Sequence, residues 1–495
     1  MKRIQFLIII IVPLLTFGQT KKYEPTWESL DSRPVPSWFE DAKFGIFIHW
    51  GPYSVPAWAP KGVYEEWYQN WMTTKALFGN FNPNPTAVYD HHITMYGKDF
   101  SYYKFGEMFK ALDFEPGDWA KLFNDAGAKY IVLTSKHHDG FTLWPNKHAD
   151  IIWGFPWSSL SSGPKRDLVG DLAREVRKTD MKFGLYYSLY EWYNPLWEAD
   201  KNKFVDEHYL PQVKDLVNSY QPDILWADGD WEMTSDKWKS REFLAWLYND
   251  SPVKDKILVN DRWGVDVRLK HGGYYTTEYD ASAEFDRPWE ECRGIGISFG
   301  YNRNEDLWDY NSAQTLILLL AEIVSHGGNF LLDIGPDDTG KIPPIMQERL
   351  LQIGEWLKIN GEAIYGTRKW QNPVQWSKGT IMDGNEYMKV NKLFYLGGDF
   401  ILKQTVNPDP GMAVKEMFFT KKGSTVYAIL PKLAEKELQI NEMPVSPSTT
   451  VTLLGSARKL EWKKKNNDII VTIPLISRNE IPDQHAYVLK ITNVP

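Results

Sequence analysis

Residues 222–232 read PDILWADGDWE, an apolar run that ends abruptly in acidic residues beside tryptophans. The apolar part, Ile224–Trp226, predicts a buried strand, and such a strand normally ends in turn residues. Here it ends in the carboxylate of Asp228, which we expect to face an aromatic-walled space. Three other apolar runs end in polar side chains in the same way: FGIFIHWG in His49, AKYIVLTSKHHDGF in His137 and His138, and KILVNDRW in Asp261 and Arg262. Polar residues at the ends of successive buried strands are typical of barrel active sites.

Eight strand-like segments occur between residues 44 and 334, and most are continuously apolar rather than alternating. They are Phe44–His49, Lys129–Ser135, Lys182–Ser188, Pro222–Asp228, Lys256–Asp261, Gly273–Tyr279, Gly296–Tyr301 and Asn329–Asp333. Continuous apolar runs indicate parallel strands that are buried on both faces. Helical spacing separates several of them, at Asp118–Ala126, Arg166–Lys178, Phe204–Tyr220, Trp238–Tyr248 and Ser312–Ser325. This alternation predicts an α/β fold, a (β/α)8 TIM-like barrel.

We expect the barrel to be irregular. The connections after Asp261 and after Tyr279 are short and polar, and neither has the pattern of a full helix. The long insert Pro52–Phe114, rich in Trp, Tyr, Asn and Pro, follows the first strand and should cover the catalytic face.

The chain changes character after the barrel. Pro343–Tyr365 has the pattern of a last amphipathic helix. It is followed by short runs such as STVYAIL, TTVTLL, DIIVTIPL and AYVLKIT, which are divided by turn residues and show no helical stretch of note. These runs predict a C-terminal antiparallel β-sandwich. The predicted domains are a barrel at residues 24–365 and a sandwich at residues 366–495. We expect the sandwich to buttress the barrel, and sugar binding by the sandwich is the alternative.

The first residues, MKRIQFLIIIIVPLLTFGQ, combine two basic residues, a short apolar run and a cleavage point at Gly18. This pattern predicts a signal peptide at residues 1–18 and an exported protein, periplasmic or secreted. The apolar run is broken by Pro13 and is too short for a comfortable membrane span. No cysteine lies just after it, so no membrane anchor is expected after cleavage. The only cysteine is Cys292, so internal disulfides are excluded.

Aromatic residues make up 15% of the 495 residues and include 23 tryptophans. Flat aromatic faces suit the C–H faces of sugars, although a Trp-rich core is the alternative. The net charge is −8, and there is no long basic run and no basic patch interleaved with aromatic residues, so nucleic acid is not an expected partner. The oligomeric state is left open, and a homo-oligomer is one alternative.

Asp228 is the first candidate for chemistry, because a carboxylate at a strand end could attack the anomeric carbon of a sugar. The alternatives are a helix N-cap or an ion-pair partner. Asp230 and Glu232 follow at a spacing of two, which brings several carboxylates to one strand mouth and favours function.

Glycoside hydrolysis generally needs a second carboxylate. Glu66, Glu278 and Glu290 lie at predicted strand or loop ends. Glu278 ends the sixth strand, two strands from Asp228, which suits a partner across the cleft. The neighbours of the other two candidates, Glu65 and Glu291, are interpreted as surface carboxylates.

The adjacent pair His137–His138 does not indicate a metal, since neighbouring residues in a strand point to opposite faces. The sequence contains neither HExxH nor a His/Cys cluster, so no metal and no cofactor are predicted. Hydrogen bonding to a polyol is the favoured role of His49 and of this pair, and a satisfied core histidine is the alternative. Arg262 could clamp ring hydroxyls or pair with a catalytic carboxylate, and a structural salt bridge is the alternative.

From Thr26 to Tyr365 the chain resembles the α-L-fucosidases of glycoside hydrolase family 29. The resemblance rests on motifs that occur in order: WFEDAKFGIFIHWGPYSVPAW, SKHHDGFTLW, GLYYSLYEW, LWADGDWE, NDRWG, WEECRGIGISFGYNRNE, GGNFLLDIGP and INGEAIYG. It implies an irregular barrel followed by a β-sandwich. It also implies an exo-acting, retaining enzyme that removes terminal α-L-fucose from a fucosylated glycan by double displacement.

The resemblance implies roles for individual residues. Asp228, in the LWxDG context, matches the nucleophile of the family. Glu278, in TTEY, matches the acid/base of relatives with a similar motif, Glu290 in the WE pair is the runner-up and Glu66 is third. The implied fucose-binding residues are His49, Glu66, Trp67, His137, His138, Tyr186, Trp226, Arg262 and Phe299. Of these, Trp67 and Phe299 are expected to pack against the C5 methyl and the apolar face of the sugar.

Three other functions are weighed against this hypothesis. The first is another exo-glycosidase of the same architecture, such as an α-galactosidase. The second is a non-catalytic carbohydrate-binding protein, against which the intact Asp228 argues. The third is a metal-dependent hydrolase built on the histidines, which is the least favoured.

Overall fold

The structure is a computed structural model that describes residues 21–74, 86–280, 284–393, 395–456, 458–475, 481 and 485–495. The predicted signal peptide lies outside these residues. Within them, no helix has both the length and the apolar character that crossing a membrane requires.

Eight parallel strands form the sheet at the centre of the first domain. They are β1 Phe44–Ile48, β2 Tyr130–Lys136, β3 Lys182–Ser188, β4 Ile224–Asp228, β5 Leu258–Val259, β6 Tyr275–Glu278, β7 Trp289–Gly294 and β8 Asn329–Ile334. Their order is β5-β4-β3-β2-β1-β8-β7-β6, so β1 lies between β2 and β8. Ile46, for example, is in register with Ile131 on one side and Leu332 on the other. The predicted α/β barrel is confirmed.

The sheet is curled but does not close by a ladder between β5 and β6 in the part of the chain that the structure describes. Two other contacts join these strands. The Tyr274 amide donates to the Val259 carbonyl at 3.3 Å. The Asp261 carboxylate accepts from the amide and the hydroxyl of Thr276, at 3.1 and 2.7 Å. One backbone hydrogen bond and the Asp261 side chain thus take the place of the backbone ladder that a regular barrel would have here.

Helices pack around this sheet. They are α1 Trp27–Asp31, α2 Ser37–Ala42, α3 Tyr68–Thr74, α4 Ala87–Tyr96, α5 Lys104–Met108, α6 Pro116–Asp125, α7 Lys147–Trp153, α8 Leu168–Val176, α9 Pro195–Ala199, α10 Lys201–Lys203, α11 Leu210–Tyr220, α12 Ser240–Asn249, α13 Ala313–Ser325 and α14 Pro344–Asn360. A π-helical stretch, Phe204–Tyr209, precedes α11, and 3₁₀ turns occur at Pro52–Ser54, Glu65–Trp67 and Gly361–Ala363. The described parts of the β5–β6 and β6–β7 connections contain no helix, as expected.

The seventh strand was predicted at Gly296–Tyr301 and is in fact β7, so that prediction is wrong. The reason is composition: β7 reads WEECRG, and charged residues are rarely buried inside a strand. The charges are paired with each other and with neighbouring strands. Glu291 accepts from the Thr277 hydroxyl and from Arg293 Nε, the latter at 2.7 Å.

The interpretation of Glu65 and Glu291 as surface carboxylates is also wrong, because both are fully buried. Burial raises the pKa of Glu291 to about 7 and that of Glu65 well above its usual range. Each belongs to the interior that supports the site described below.

The described part of the C-terminal region contains two antiparallel sheets. Its strands are β9 Arg368–Trp376, β10 Lys415–Lys422, β11 Thr425–Leu430, β12 Glu437–Ile440, β13 Thr450–Leu453, β14 Lys459–Leu460, β15 Trp462–Lys465, β16 Asp468–Thr472 and β17 Tyr487–Thr492. The six-stranded sheet has the order β14-β13-β17-β11-β10-β9, and the three-stranded sheet the order β12-β16-β15.

The six-stranded sheet separates two cores, because alternate side chains in a strand point to opposite faces. Phe418 and Val488 join the core of the barrel, whereas their neighbours Phe419 and Leu489 join a second core with the three-stranded sheet. A buried ion pair between Lys415 and Glu322, at 2.7 Å, also joins this region to α13.

Two helices interrupt the β-rich region, α15 Gly384–Asn391 and α16 Gly398–Lys403, where no helical stretch was expected. That expectation is wrong. Asp383 caps α15 by accepting from the Glu386 amide at 2.8 Å. None of the residues of α15 is fully buried, so the apolar spacing that marks a helix in sequence is missing.

Candidate active site

A cavity of about 430 Å³ opens where the barrel strands end. Its walls are formed mostly by aromatic and ionisable side chains: Phe47, His49, Tyr64, Glu66, Trp67, His137, His138, Tyr186, Trp226, Asp228, Trp231, Arg262, Arg268, Glu278, Cys292, Phe299 and Tyr395. The structure thus brings together every sugar-binding residue expected from the sequence, with the favoured carboxylates Asp228 and Glu278.

Asp228 is the last residue of β4, and its carboxylate is almost fully buried. The Tyr186 hydroxyl donates to Oδ2 at 2.9 Å, and Arg262 Nη1 donates to Oδ1 at 3.0 Å. Arg268 Nη2 approaches the same Oδ1 at 3.3 Å. Burial alone would raise the pKa of Asp228, but Arg262, His138 and Arg268 outweigh it and lower the pKa to about 2. Asp228 is therefore an ionised carboxylate at neutral pH, as a nucleophile must be.

Glu278 is the last residue of β6 and lies nearer to solvent than Asp228, with 24% of its side chain exposed. The Tyr64 hydroxyl donates to Oε1 at 2.6 Å, and Arg262 Nη2 donates to Oε2 at 3.4 Å. The guanidinium of Arg262 thus contacts both Glu278 and Asp228. This arrangement places two carboxylates in one cavity, and a pair of carboxylates is what glycoside hydrolysis generally needs.

Glu290, the runner-up acid/base, does not line the cavity. It lies inside β7 and is fully buried. Three donors converge on its oxygens: Trp226 Nε1 at 2.8 Å, the Tyr130 hydroxyl at 2.5 Å and the Tyr274 hydroxyl at 3.3 Å. Burial raises the pKa of Glu290 to about 7 against the effect of these hydrogen bonds. These contacts indicate that Glu290 holds the Trp226 ring in place.

Glu66 lies in the 3₁₀ turn after Tyr64 and is buried at the cavity wall. Its Oε2 accepts from the Gly300 amide at 2.9 Å and from the Ser298 hydroxyl at 3.2 Å. Burial raises the pKa of Glu66 to about 7 despite these bonds. The turn therefore presents a fixed acceptor to the cavity.

The cavity histidines are neutral hydrogen-bonding groups. His49 Nδ1 is 2.7 Å from Asp333 Oδ1, and His138 Nδ1 is 2.6 Å from the Ser188 hydroxyl. Burial lowers the pKa of His49 to about 3 and that of His138 to about 4. In the described part of the chain, buried Nδ1 of His137 has no hydrogen-bond partner. Among the same residues, no group of three or more His, Cys, Asp or Glu side chains is arranged to hold a metal ion.

Aromatic rings fix the shape of the cavity. Trp226 lies 4.5 Å from the Arg262 guanidinium and is stacked on Tyr186 at 5.6 Å between ring centroids. Phe299 packs against His49 at 5.0 Å, and Trp67 packs edge-on against His138 at 5.7 Å. The flat, apolar and polar surfaces alternate around the space, which suits the amphipathic faces of a sugar ring.

Six cavity residues were not expected from the sequence: Phe47, Tyr64, Trp231, Arg268, Cys292 and Tyr395. Arg268 lies in the polar β5–β6 connection, where no strand pattern marked it. Tyr395 comes from the C-terminal region, and its place in the cavity has no local sequence signal. Trp231, by contrast, stands in the stretch PDILWADGDWE and follows the acidic pair directly.

Comparison with known proteins agrees with this architecture. A family model for alpha-L-fucosidase matches residues 12–362, and one for the alpha-L-fucosidase C-terminal domain matches residues 412–492. The tissue alpha-L-fucosidase of Homo sapiens is 41% identical over 485 residues, covering 96% of this chain and 92% of the human protein. The alpha-L-fucosidase of Dictyostelium discoideum is 45% identical over 401 residues, covering 78% of this chain and 84% of that protein.

A solved structure shows the same fold. The crystal structure of the Thermotoga maritima alpha-fucosidase in complex with fucose superposes with a TM-score of 0.73 at 34% identity. The match covers 95% of this chain and 100% of that chain. The chain therefore belongs to the α-L-fucosidase family, glycoside hydrolase family 29, and is a glycoside hydrolase of that family.

Proposed function

We propose that this enzyme is an exo-acting, retaining α-L-fucosidase that removes a terminal α-L-fucose, with Asp228 as nucleophile and Glu278 as acid/base. The observation that carries this proposal is the pair of carboxylates at the ends of β4 and β6, which face one aromatic-lined cavity and contact one arginine, Arg262. The family of the chain supports the choice of sugar.

The reaction divides into two displacements. Ionised Asp228 attacks the anomeric carbon while Glu278 gives its proton to the departing glycosidic oxygen, and a fucosyl ester of Asp228 forms. Glu278, now a carboxylate, takes a proton from water as the water oxygen attacks the anomeric carbon, and the bond between that carbon and the Asp228 carboxylate breaks. Fucose leaves with the anomeric configuration of the substrate, and both carboxyl groups return to their first state.

The polar groups of the wall orient the ring. Neutral His49, His137 and His138, with Glu66, bind the sugar hydroxyls, and the partnerless Nδ1 of His137 is satisfied by one of them. Trp67 and Phe299 pack against the C5 methyl and the apolar face. The methyl is a modest filter against galactose, worth about 1–3 kcal/mol, because apolar pockets discriminate weakly between groups that differ by one carbon.

The signal-like N-terminus supports export to the periplasm or the cell exterior, where fucosylated glycans are the substrates. Export is tested by fractionating cells that express the full-length chain and the chain without residues 1–18. Loss of the shorter protein from the exported fraction supports the proposal, and equal distribution contradicts it. Self-association is tested on the purified protein by sedimentation.

The substrate is tested with 4-nitrophenyl α-L-fucoside and α-D-galactoside, with the released sugar followed by proton NMR. We expect a clear preference for the fucoside and α-L-fucose as the first product. A preference for the galactoside overturns the assignment of the sugar, and β-L-fucose as the first product overturns the retaining mechanism. Saturable fucose binding without hydrolysis would instead favour the non-catalytic alternative.

A further inference from the structure

A second space, of about 570 Å³, adjoins the active site and begins at Glu278. Glu278 and Tyr395 line both this groove and the fucose cavity. Among the residues that the structure describes, the far wall comes from the C-terminal region and includes Trp376, Asn385 and Met388. The C-terminal region therefore reaches the active site, beyond the buttressing role expected from the sequence.

The barrel holds this wall in place through buried groups at the ends of β6 and β7. Arg293 Nη1 donates to the Leu396 carbonyl at 2.9 Å, and Arg293 Nε donates to Glu291 Oε1 at 2.7 Å. The same Glu291 oxygen accepts from the Asp280 amide at 2.9 Å. The segment that carries Tyr395 is thereby fixed to the strand that carries Glu278.

Ring stacking fixes Tyr395 itself. It is stacked on Tyr64 at 5.3 Å and on Tyr279 at 4.8 Å between ring centroids. Tyr64 in turn donates to Glu278. An aromatic surface from the C-terminal region thus stands directly beside the proposed acid/base.

The position of Glu278 decides what the groove can hold. The proton that Glu278 donates must reach the glycosidic oxygen, so this oxygen lies at Glu278, with fucose on the side of Asp228. The rest of the substrate then extends from Glu278 away from Asp228, and the groove starts at that point. We propose that the groove binds the leaving group, a neutral saccharide, and that the C-terminal region contributes in this way to substrate choice.

The chemistry of the wall fits this occupant, given the proposed function on which the inference rests. Trp376 and Tyr395 offer aromatic faces, and Asn385 and Gln404 offer amides, which pair with sugar hydroxyls. Asp383 adds negative charge, and no Lys, Arg or His lies among the described residues of the wall. An anionic sugar would therefore be repelled, and for this reason the proposed occupant of the groove is a neutral sugar.

The test uses helix α15, which presents two faces. Asn385 and Met388, three residues apart, line the groove, whereas Val390 is 71% exposed and lies outside it. Met388→Trp fills the groove, Asn385→Ala removes an amide, and Val390→Trp is the matched control. Each is assayed with α-L-fucosyl fluoride, which has no leaving sugar, and with 2′-fucosyllactose, a neutral trisaccharide.

We expect Met388→Trp to lower kcat/KM for 2′-fucosyllactose at least about tenfold and Asn385→Ala to lower it less, with the fluoride unchanged in both. Val390→Trp should change neither substrate. The proposal is overturned if Met388→Trp leaves the ratio of the two kcat/KM values unchanged, which includes an equal loss for both substrates. A sulfate on the galactose of 2′-fucosyllactose should slow the wild type, and equal cleavage overturns the neutral class. Failure of the wild type to cleave the fluoride would instead refute the proposed function.

Discussion

Asp228 and Glu278 bind the same guanidinium group, that of Arg262, at 3.0 and 3.4 Å. Arg262 is buried, and its third nitrogen, Nε, donates to the Thr276 hydroxyl at 2.9 Å. That hydroxyl donates in turn to Asp261 at 2.7 Å. The irregular junction between β5 and β6 thus orients the arginine that sets the positions of both carboxylates.

Arg262→Met should lower kcat/KM for an aryl fucoside by at least about 100-fold, since a preorganised donor at a reaction centre is worth about 3–4 kcal/mol. Arg262→Lys keeps the charge but cannot reach both carboxylates and Thr276 together, so its loss should be intermediate. Steady-state kinetics measure both variants, with circular dichroism as the control for folding. Full activity in Arg262→Met would contradict the role given to this residue.

Arg268 is a second, weaker support for Asp228. Its side chain is 35% exposed and also pairs with Asp230 at 2.7 Å, so water screens its charge more than that of Arg262. We expect Arg268→Gln to cost about tenfold or less in kcat/KM, since a partly exposed pair is worth about 1 kcal/mol. If Asp230 acts only by holding Arg268, Asp230→Asn adds no further loss in the double variant. Additive losses in this double-mutant cycle would show that Asp230 acts independently.

Glu290→Gln should keep kcat/KM within a few-fold, because the amide can accept from Trp226 and donate to the Tyr130 hydroxyl. The stability of this variant should also depend less on pH than that of the wild type. The pKa of Glu290 is raised from 4.5 to about 7, so its contribution to stability is present below pH 4.5 and is lost as pH rises through about 7. The shift corresponds to an effect on the order of 3 kcal/mol. Thermal unfolding at pH 5 and pH 8.5 measures this effect. The unfolding temperature of the variant should rise relative to that of the wild type when the pH is raised from 5 to 8.5. A large loss of activity in a folded Glu290→Gln would return the acid/base role to the WE pair.

His137→Leu should separate binding from stability. Because buried Nδ1 of His137 is without a partner in the described structure, replacing it removes a cost of about 1–3 kcal/mol from the free protein. The unfolding temperature should stay or rise, while inhibition by L-fucose weakens. His92 is the matched control, since it is buried outside the cavity and both ring nitrogens are bonded, to the Tyr68 hydroxyl and the Phe100 carbonyl. His92→Leu should lower the unfolding temperature and leave fucose inhibition unchanged, and the reverse pattern would contradict the assignment.

The sequence was sufficient to predict both the fold and the site where a buried strand ends directly in a catalytic candidate. The apolar run before Asp228 ends in a carboxylate, and the strand and the residue could be predicted together. Local pattern failed at β7, since Glu291 and Arg293 neutralise each other only after folding.

The remaining gaps are long-range. Tyr395 enters the cavity from the C-terminal region, and no neighbouring residue in the sequence predicts that it lies there. The burial of Glu65 has no sequence signal either, because sequence alone does not reveal which carboxylates a folded interior encloses. The arrangement of Arg262 between two carboxylates likewise depends on contacts between separate strands.

Rescue by azide tests the central claim, the roles of Asp228 and Glu278, most directly. Asp228→Gly, Glu278→Ala and Glu290→Ala are each given 4-nitrophenyl α-L-fucoside, whose leaving group needs little protonation, and sodium azide. In Glu278→Ala, azide should attack the fucosyl ester and give α-L-fucosyl azide. In Asp228→Gly, azide should take the place of the carboxylate and give the β-anomer. Rescue confined to Glu290→Ala, or an α-azide from Asp228→Gly, would contradict the assignment.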